Sequence, residues 1–393
     1  MAALLTTPLF FSLFSCNQEE GSTSYDGREY DISLAQDKSV VAISELESNY
    51  YSLSIAGSGD AISYSKKDLV PWNPITKRIN KVTINDGINN IGDYYFYSIQ
   101  LEYIILPTSV AKVEEHSFNS NTTVYTYGSN IDSYTSNKVY YYRESKPSTP
   151  GNYFYMENGI PHIYHYETSK FLFIGNSFTF RQGTEDDPAV PRYFNRISTN
   201  LGIDTSIDFV VRSSYTLSKY ANPNDELGRV VEQKLTTNKY DYVILQEQST
   251  TPINSYNAFL SAVTTLKTRI DQTQTNCHTI LYETWGSPAG IEGTSYQTVG
   301  EMEAALREAY DNAARETGCS VNYIGKAFTY AYETLHINIY ADDNRHQSNL
   351  GAYYSAACHV RSIFGLKVAN CTDYCGLDTN GCKTLLGAAD YII

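Results

Sequence analysis

The run Phe171-Leu172-Phe173-Ile174-Gly175-Asn176-Ser177-Phe178-Thr179 decides how the C-terminal half is read. An unbroken apolar run closed by a glycine has the length of a strand buried on both faces, the kind a parallel sheet uses. Asn176 and Ser177 then fall at the strand-to-loop turn. A hydroxyl presented at a sheet edge, with backbone N–H groups beside it, has what a nucleophile needs. A serine that merely caps a helix would read the same in isolation. The surroundings must therefore decide.

Further strand-like runs follow at Ile207–Val211, Tyr242–Leu245, Thr279–Tyr282 and Val321–Ile324. Helical periodicities lie between them. Val190, Phe194, Ile197 and Leu201 share one face; so do Phe259, Val263, Leu266 and Ile270, and then Met302, Leu306, Ala309, Tyr310 and Ala313, with Gly202 and Gly318 as stops. Strands alternating with helices imply a parallel sheet covered on both faces. In such sheets ligands bind beyond the C-terminal strand ends, which is where Ser177 falls.

A second block reads Ala341-Asp342-Asp343-Asn344-Arg345-His346-Gln347-Ser348. Asp343 precedes His346 by one helical turn. A carboxylate so placed can hold the imidazole Nδ1–H and leave Nε2 to take a proton from serine. A helix-start cluster is the plainer reading of this block alone.

Together, Gly175-Asn176-Ser177 and Asp343-x-x-His346 resemble the SGNH (GDSL-like) hydrolase superfamily over about 169–390. The nearest likeness is to a bacterial branch reading G-N-S-F-T, then Q-E-x-S, then D-x-x-H-x-S. The resemblance implies an α/β class, a flavodoxin-like three-layer α/β/α fold, and hydrolysis of esters, often O-acetyl groups on carbohydrate, without metal or cofactor. It implies Ser177, His346 and Asp343 as the catalytic residues. It also implies an oxyanion hole from two middle blocks, at which this sequence departs from the family. Serine stands where glycine is usual in Arg212-Ser213-Ser214-Tyr215-Thr216-Leu217, so the donor there is the Ser214 backbone N–H, alongside that of Ser177. In Leu245-Gln246-Glu247-Gln248-Ser249, block spacing places Gln248 in the Asn position, with Gln246 as its competitor. Two residues apart, both amides would share a face if the strand continued.

Trp285 follows the Thr279–Tyr282 run and is a candidate sugar-stacking wall, a core indole being the other reading. Glu247 and Glu283 as a glycosidase pair have nothing to fix their separation. The remaining histidines lack a carboxylate and hydroxyl in matching blocks.

The N-terminal half follows a different rule. Ile84, Ile88, Ile91 and Phe96 recur in one register as Leu106, Val110, Val113 and Phe118. Each unit supplies a short strand and a turn, and cannot bury its apolar face without neighbours. The stretch resembles the BspA-like leucine-rich repeat, with a flank at Tyr51–Trp72, two full repeats, and Val124–Gly128 as a terminal cap. That implies a small β-rich domain acting as a spacer or binding a surface ligand. Pro, Ser and Gly between Ser145 and Asn152 mark a break. The expected division is 1–16 a signal or lipobox segment, 17–48 a tether, 49–144 the repeat, 145–168 a linker and 169–393 the hydrolase domain.

Leu13-Phe14-Ser15-Cys16 resembles a bacterial lipobox after a short apolar run, although no Lys or Arg precedes it. Cys16 is the lipidation candidate, for an exported cell-surface lipoprotein held to a membrane only by a lipid anchor; an ordinary signal peptide with a chance cysteine, giving a secreted chain, is the other reading. The chain has 7 cysteines; one disulfide is expected among Cys371, Cys375 and Cys382, and a zinc knuckle lacks its spacing and fourth ligand. A net charge of −14 disfavours nucleic acid and anionic membrane surfaces. The 36 tyrosines suit both half-exposed strands and sugar stacking, so they choose neither. The leading expectation is an exported serine esterase acting on acylated carbohydrate, O-acetyl groups foremost. Two alternatives stay open: a surface adhesion protein with a degenerate hydrolase domain, and a lipase or thioesterase.

Overall fold

The computed structural model describes residues 24–129, 131–133 and 137–393. The expected signal segment, with Cys16, lies outside the described residues.

Alternation along the first strand of the C-terminal half builds two cores at once. In Ser169–Gly175, Phe171 and Phe173 enter one apolar cluster, while Leu172 and Ile174 enter another on the opposite face. The first cluster is completed by the helices Ala189–Asn200, Ile324–Thr329, Asn349–Phe364 and Thr379–Ile392. The second is completed by Leu217–Ala221, Glu226–Thr237, Tyr256–Thr273 and Val299–Thr317. The unbroken apolar run Phe171–Ile174 is thus explained by helices on both faces. The helix stops are local chemistry: Val299–Thr317 starts on the Thr298 hydroxyl, which accepts the Glu301 N–H, and ends at Gly318, φ +71°.

The strands lie in the order Thr205–Val211, Ser169–Gly175, Tyr242–Gln246, His278–Tyr282, Ser320–Asn322, all parallel. In chain order this is 2-1-3-4-5, the flavodoxin-like doubly wound sheet, whose switch point lies between the first and third strands. The last expected strand is shorter than its apolar run, because Ile324 begins a helix.

The repeat register holds. Ile84, Ile88, Ile91 and Phe96 are buried with Leu106, Val110, Val113 and Phe118 in one core, and the Phe96 and Phe118 rings stack at 5.7 Å. Two expected boundaries are corrected. Within the supposed tether, Arg28–Asp31 and Val40–Glu47 form an antiparallel sheet with Tyr50–Gly57. Within the supposed linker, Tyr153–Glu157 pairs in parallel with Val139–Tyr142, and Ile160–Ile163 turns back onto it. Thr123–Thr126 is therefore an interior strand rather than a terminal cap, flanked by Tyr103–Leu106 and Val139–Tyr142. The two halves touch where the Asn152 side-chain amide donates to the Asn200 carbonyl at 2.9 Å.

The tail cysteines are a further correction: Cys371, Cys375 and Cys382 are free thiols. Closeness along a sequence does not by itself supply the Cα separation a disulfide demands.

Candidate active site

The turn after the first strand is built by close contact. A Cβ on Gly175 would lie 2.5 Å from Thr179 Oγ1 and 2.6 Å from Gln246 Oε1, so only glycine lets the third strand approach. Asn176 caps the short helix Ser177–Phe180, its Oδ1 accepting the Phe178 N–H at 3.2 Å. Its own N–H donates to Gln246 Oε1 at 2.7 Å, and its side-chain amide to the Tyr215 carbonyl at 2.9 Å. One residue thus ties three loops at the switch point and leaves Ser177 at their centre.

His346 Nε2 lies 2.8 Å from Ser177 Oγ, and His346 Nδ1 lies 2.6 Å from Asp343 Oδ2. The backbone N–H groups of Arg345 and His346 donate to Asp343 Oδ1 at 3.1 and 2.9 Å. Burial alone would raise the Asp343 carboxyl, but these N–H groups and the imidazole outweigh it and hold it well below the usual carboxylate range. For His346, burial depresses the imidazole below its ordinary value, aided by the Arg181 and Arg345 charges and opposed by Asp343. The ring is therefore neutral near pH 7, as a proton acceptor must be. The Phe178 and His346 rings form a T-shaped pair with centroids 5.3 Å apart.

Gln347 does more than its sequence suggested. Fully buried, its side-chain amide donates to the carbonyls of Ser177, Phe178 and Arg181 at 3.2, 3.0 and 3.2 Å. The residue after the histidine thus fastens the Asp343–His346 loop onto the turn that bears Ser177. Its only sequence signal was adjacency to His346.

The third strand ends at Gln246, so the expected shared face of Gln246 and Gln248 does not arise. Gln246 is fully buried, and both its N–H groups are spent, on Asn176 Oδ1 at 2.9 Å and on the Glu247 carbonyl. It has no donor left for an oxyanion. Gln248 is half-buried and uses one N–H on Ser249 Oγ at 3.0 Å, while its Oε1 accepts from Thr250 and Thr251. Between them, the buried Glu247 carboxylate accepts the N–H groups of Leu217 at 3.2 Å and Gln248 at 2.6 Å, and so joins the two middle blocks. Burial pushes its carboxyl up to about 7. Glu283 is also fully buried, and burial beside Glu303 raises its carboxyl far above the usual range. Two such enclosed groups do not make a glycosidase pair.

Ser214 sits at φ +58°, the left-handed region where glycine is at ease. A glycine would take this conformation without a Cβ penalty. A Ser214→Gly variant should relieve strain of about 1–2 kcal/mol, partly offset by the freer unfolded chain, for a net gain of about 0.5–1 kcal/mol. Thermal unfolding should show a higher Tm, and turnover should stay within a few-fold of the parent. A lower Tm would mean the hydroxyl makes a contact worth more than the strain.

Trp285 is not a substrate wall. It is fully buried, stacked between Phe178 at 4.2 Å and Phe328 at 4.1 Å, with its N–H donating to the Arg345 carbonyl at 3.0 Å. The indole supports the loop before His346 from beneath. His359 is likewise a core residue, pushed down to about 3 by burial. A cavity of about 320 Å³ lies between the two halves, lined among others by Asn152, Tyr153, Asn200 and Thr372. It lies toward Asn200, the far end of the helix Ala189–Asn200 from the strand edge that carries Ser177.

Fold and site together define a doubly wound α/β domain carrying a hydroxyl–imidazole–carboxylate relay at its switch point, preceded by a repeat array. Residues 75–149 match the family model described as BspA type leucine rich repeat region (6 copies), over the stretch that carries the two repeats. A candidate SGNH hydrolase from Slackia heliotrinireducens is similar at 20% identity and TM-score 0.42, covering 50% of this chain and 100% of that one. A DUF4886 family protein from Bacteroides uniformis is similar at 18% identity and TM-score 0.48, covering 57% of this chain and 94% of that one. An acetylxylan esterase from Geobacillus stearothermophilus is similar at 19% identity and TM-score 0.38, covering 51% and 95%. Comparison with curated proteins finds no match. The fold assignment rests on the strand order and the two cores described above.

Proposed function

We propose that this chain is an exported serine esterase that removes short O-acyl groups, acetyl foremost, from carbohydrate. The observation that carries the reading is the relay Ser177 Oγ–His346 Nε2 at 2.8 Å and His346 Nδ1–Asp343 Oδ2 at 2.6 Å, set at the C-terminal edge of the sheet. Ser177 Oγ attacks the ester carbonyl while Nε2 takes its proton. The tetrahedral oxyanion accepts N–H groups from the backbones of Ser177 and Ser214 and from the Gln248 amide. Collapse expels the alcohol, protonated by Nε2, and leaves an acyl group on Ser177. Water, deprotonated by the same imidazole, then releases the acid.

The preference for short acyl groups, acetyl foremost, rests on the family resemblance. Export and a lipid anchor at Cys16 rest on the lipobox-like leader, and the carbohydrate on the family resemblance. The repeat would place the esterase at a surface.

The chemistry uses only a hydroxyl, an imidazole, a carboxylate and amides. Turnover of p-nitrophenyl acetate should therefore survive exhaustive EDTA treatment and exceed that of the decanoate ester. Loss on chelation with rescue by a divalent metal would replace this mechanism, and preference for the long chain would make the chain a lipase.

A further inference from the structure

The Asp343 carboxylate serves two cationic or potentially cationic partners. Arg181, one residue past the short helix Ser177–Phe180, directs Nη1 to Asp343 Oδ2 at 2.8 Å. The same Nη1 lies 2.6 Å from His346 Nδ1, which is itself 2.6 Å from that oxygen. A guanidinium only donates, and Nδ1 must carry hydrogen to use the carboxylate. Both N–H groups therefore converge on one oxygen, and a permanent positive charge is held against the ring edge.

We propose that Arg181 is a positioning residue that divides Asp343 between two donors and keeps His346 unprotonated into mildly acidic conditions. The inference rests on the esterase reading for its consequence, a working range extended on the acid side. A second proton on the ring would place imidazolium beside guanidinium with one shared carboxylate between them. That costs more than it would beside Asp343 alone. The charged groups facing the ring are Asp343, Arg181 and Arg345. Arg345 turns its guanidinium away to the Ala289 carbonyl at 3.0 Å, which leaves Arg181 as the cation in contact. The direction agrees with the depressed imidazole, for which burial is the largest cause and Arg181 the larger of the two cationic ones. The Arg181 side chain is 45% exposed, so solvent and salt moderate the effect.

The test is the His346 titration, followed by NMR of ring-labelled full-length protein in the parent, Arg181→Gln and Arg181→Lys, with His346→Gln to assign the signal. Arg181→Gln should raise the His346 midpoint by about 0.5–1 pH unit, the size a half-screened neighbouring charge produces. Arg181→Lys, which keeps the charge, should stay closer to the parent. High salt should raise the parent midpoint and move Arg181→Gln less. In turnover, the acid limb of kcat/KM should follow the NMR midpoint in each variant. An unmoved midpoint in Arg181→Gln overturns the inference even if the parent is an active, Ser177-dependent esterase. A midpoint that moves as stated in a chain without ester turnover upholds Arg181 and rejects the esterase reading instead.

Discussion

Ser177→Ala and His346→Ala are each expected to lower kcat for a short-chain ester by about 10⁴–10⁶-fold, with the fold intact. The two side chains act as one unit. Without the hydroxyl there is nothing to acylate. Without the imidazole, no group removes the serine proton, which Nε2 at 2.8 Å is placed to take. The double variant should therefore be little worse than either single one, since each removes the same covalent route. Asp343→Asn should cost about 10²–10⁴-fold. An amide there can no longer favour hydrogen on Nδ1, and the ring loses the 2.6 Å partner that orients it. Stability should change little in Ser177→Ala, because the turn is held by Gly175, Asn176 and Gln347 rather than by the hydroxyl. Activity within ten-fold of the parent in either alanine variant would remove the relay as the source of catalysis.

Gln246→Ala and Gln248→Ala are expected to fail in different ways. Gln246 Oε1 accepts from the Asn176 N–H at 2.7 Å and from Thr179 Oγ1 at 3.0 Å, all three groups buried. Truncation would leave those two donors without partners where water does not reach, and Asn176 Oδ1 with the Phe178 N–H alone. At about 1–3 kcal/mol per abandoned buried group, the loss should total several kcal/mol and lower Tm by ten degrees or more. The turn bearing Ser177 would shift with it, so kcat should also fall by at least 10²-fold. Gln248→Ala, at a half-buried loop position, should leave Tm within a few degrees. It should lower kcat by about 10²–10³-fold with KM little changed, the pattern of a donor used in the transition state. A stable Gln246→Ala with a pure kcat defect, beside an unimpaired Gln248→Ala, would reverse the two roles.

Much of this site was legible because its signals are short and local. A strand buried on both faces announces itself as an apolar run, and Gly175-Asn176-Ser177 follows it directly. Asp343 and His346 are close enough in sequence to meet without help from the fold. The helix faces at Val190–Ile197 and Met302–Ala313 were legible for the same reason, since burial on one side leaves a period. What was not legible depends on partners distant in sequence. Trp285 follows a strand end, where alternation stops predicting direction, and only Phe178 and Phe328 show that it points inward. The choice between Gln246 and Gln248 turned on where the strand ends and on how Asn176 spends its hydrogen bonds. Arg181 lies far along the chain from Asp343, and no local pattern links them.

The misread boundaries share one physical cause. Val139–Tyr142 and Tyr153–Glu157 are rich in tyrosine, with most positions half-buried. A ring with a polar tip packs on a sheet while its hydroxyl stays wet, so these strands lack the apolar alternation that marked Ile84 and Leu106. Proline, serine and glycine at 145–152 do make a break, but it separates two strands of one sheet.

The central claim is that Ser177 is an activated nucleophile, and covalent labelling tests it most directly. The full chain would be treated at neutral pH with a small serine-directed organophosphonate and its adduct located by intact mass and peptide mapping. A single adduct on Ser177, forming in step with loss of ester turnover and absent in His346→Ala, is the result predicted. Ester turnover that persists while Ser177 stays unlabelled, or an adduct on another residue that abolishes it, would contradict the account.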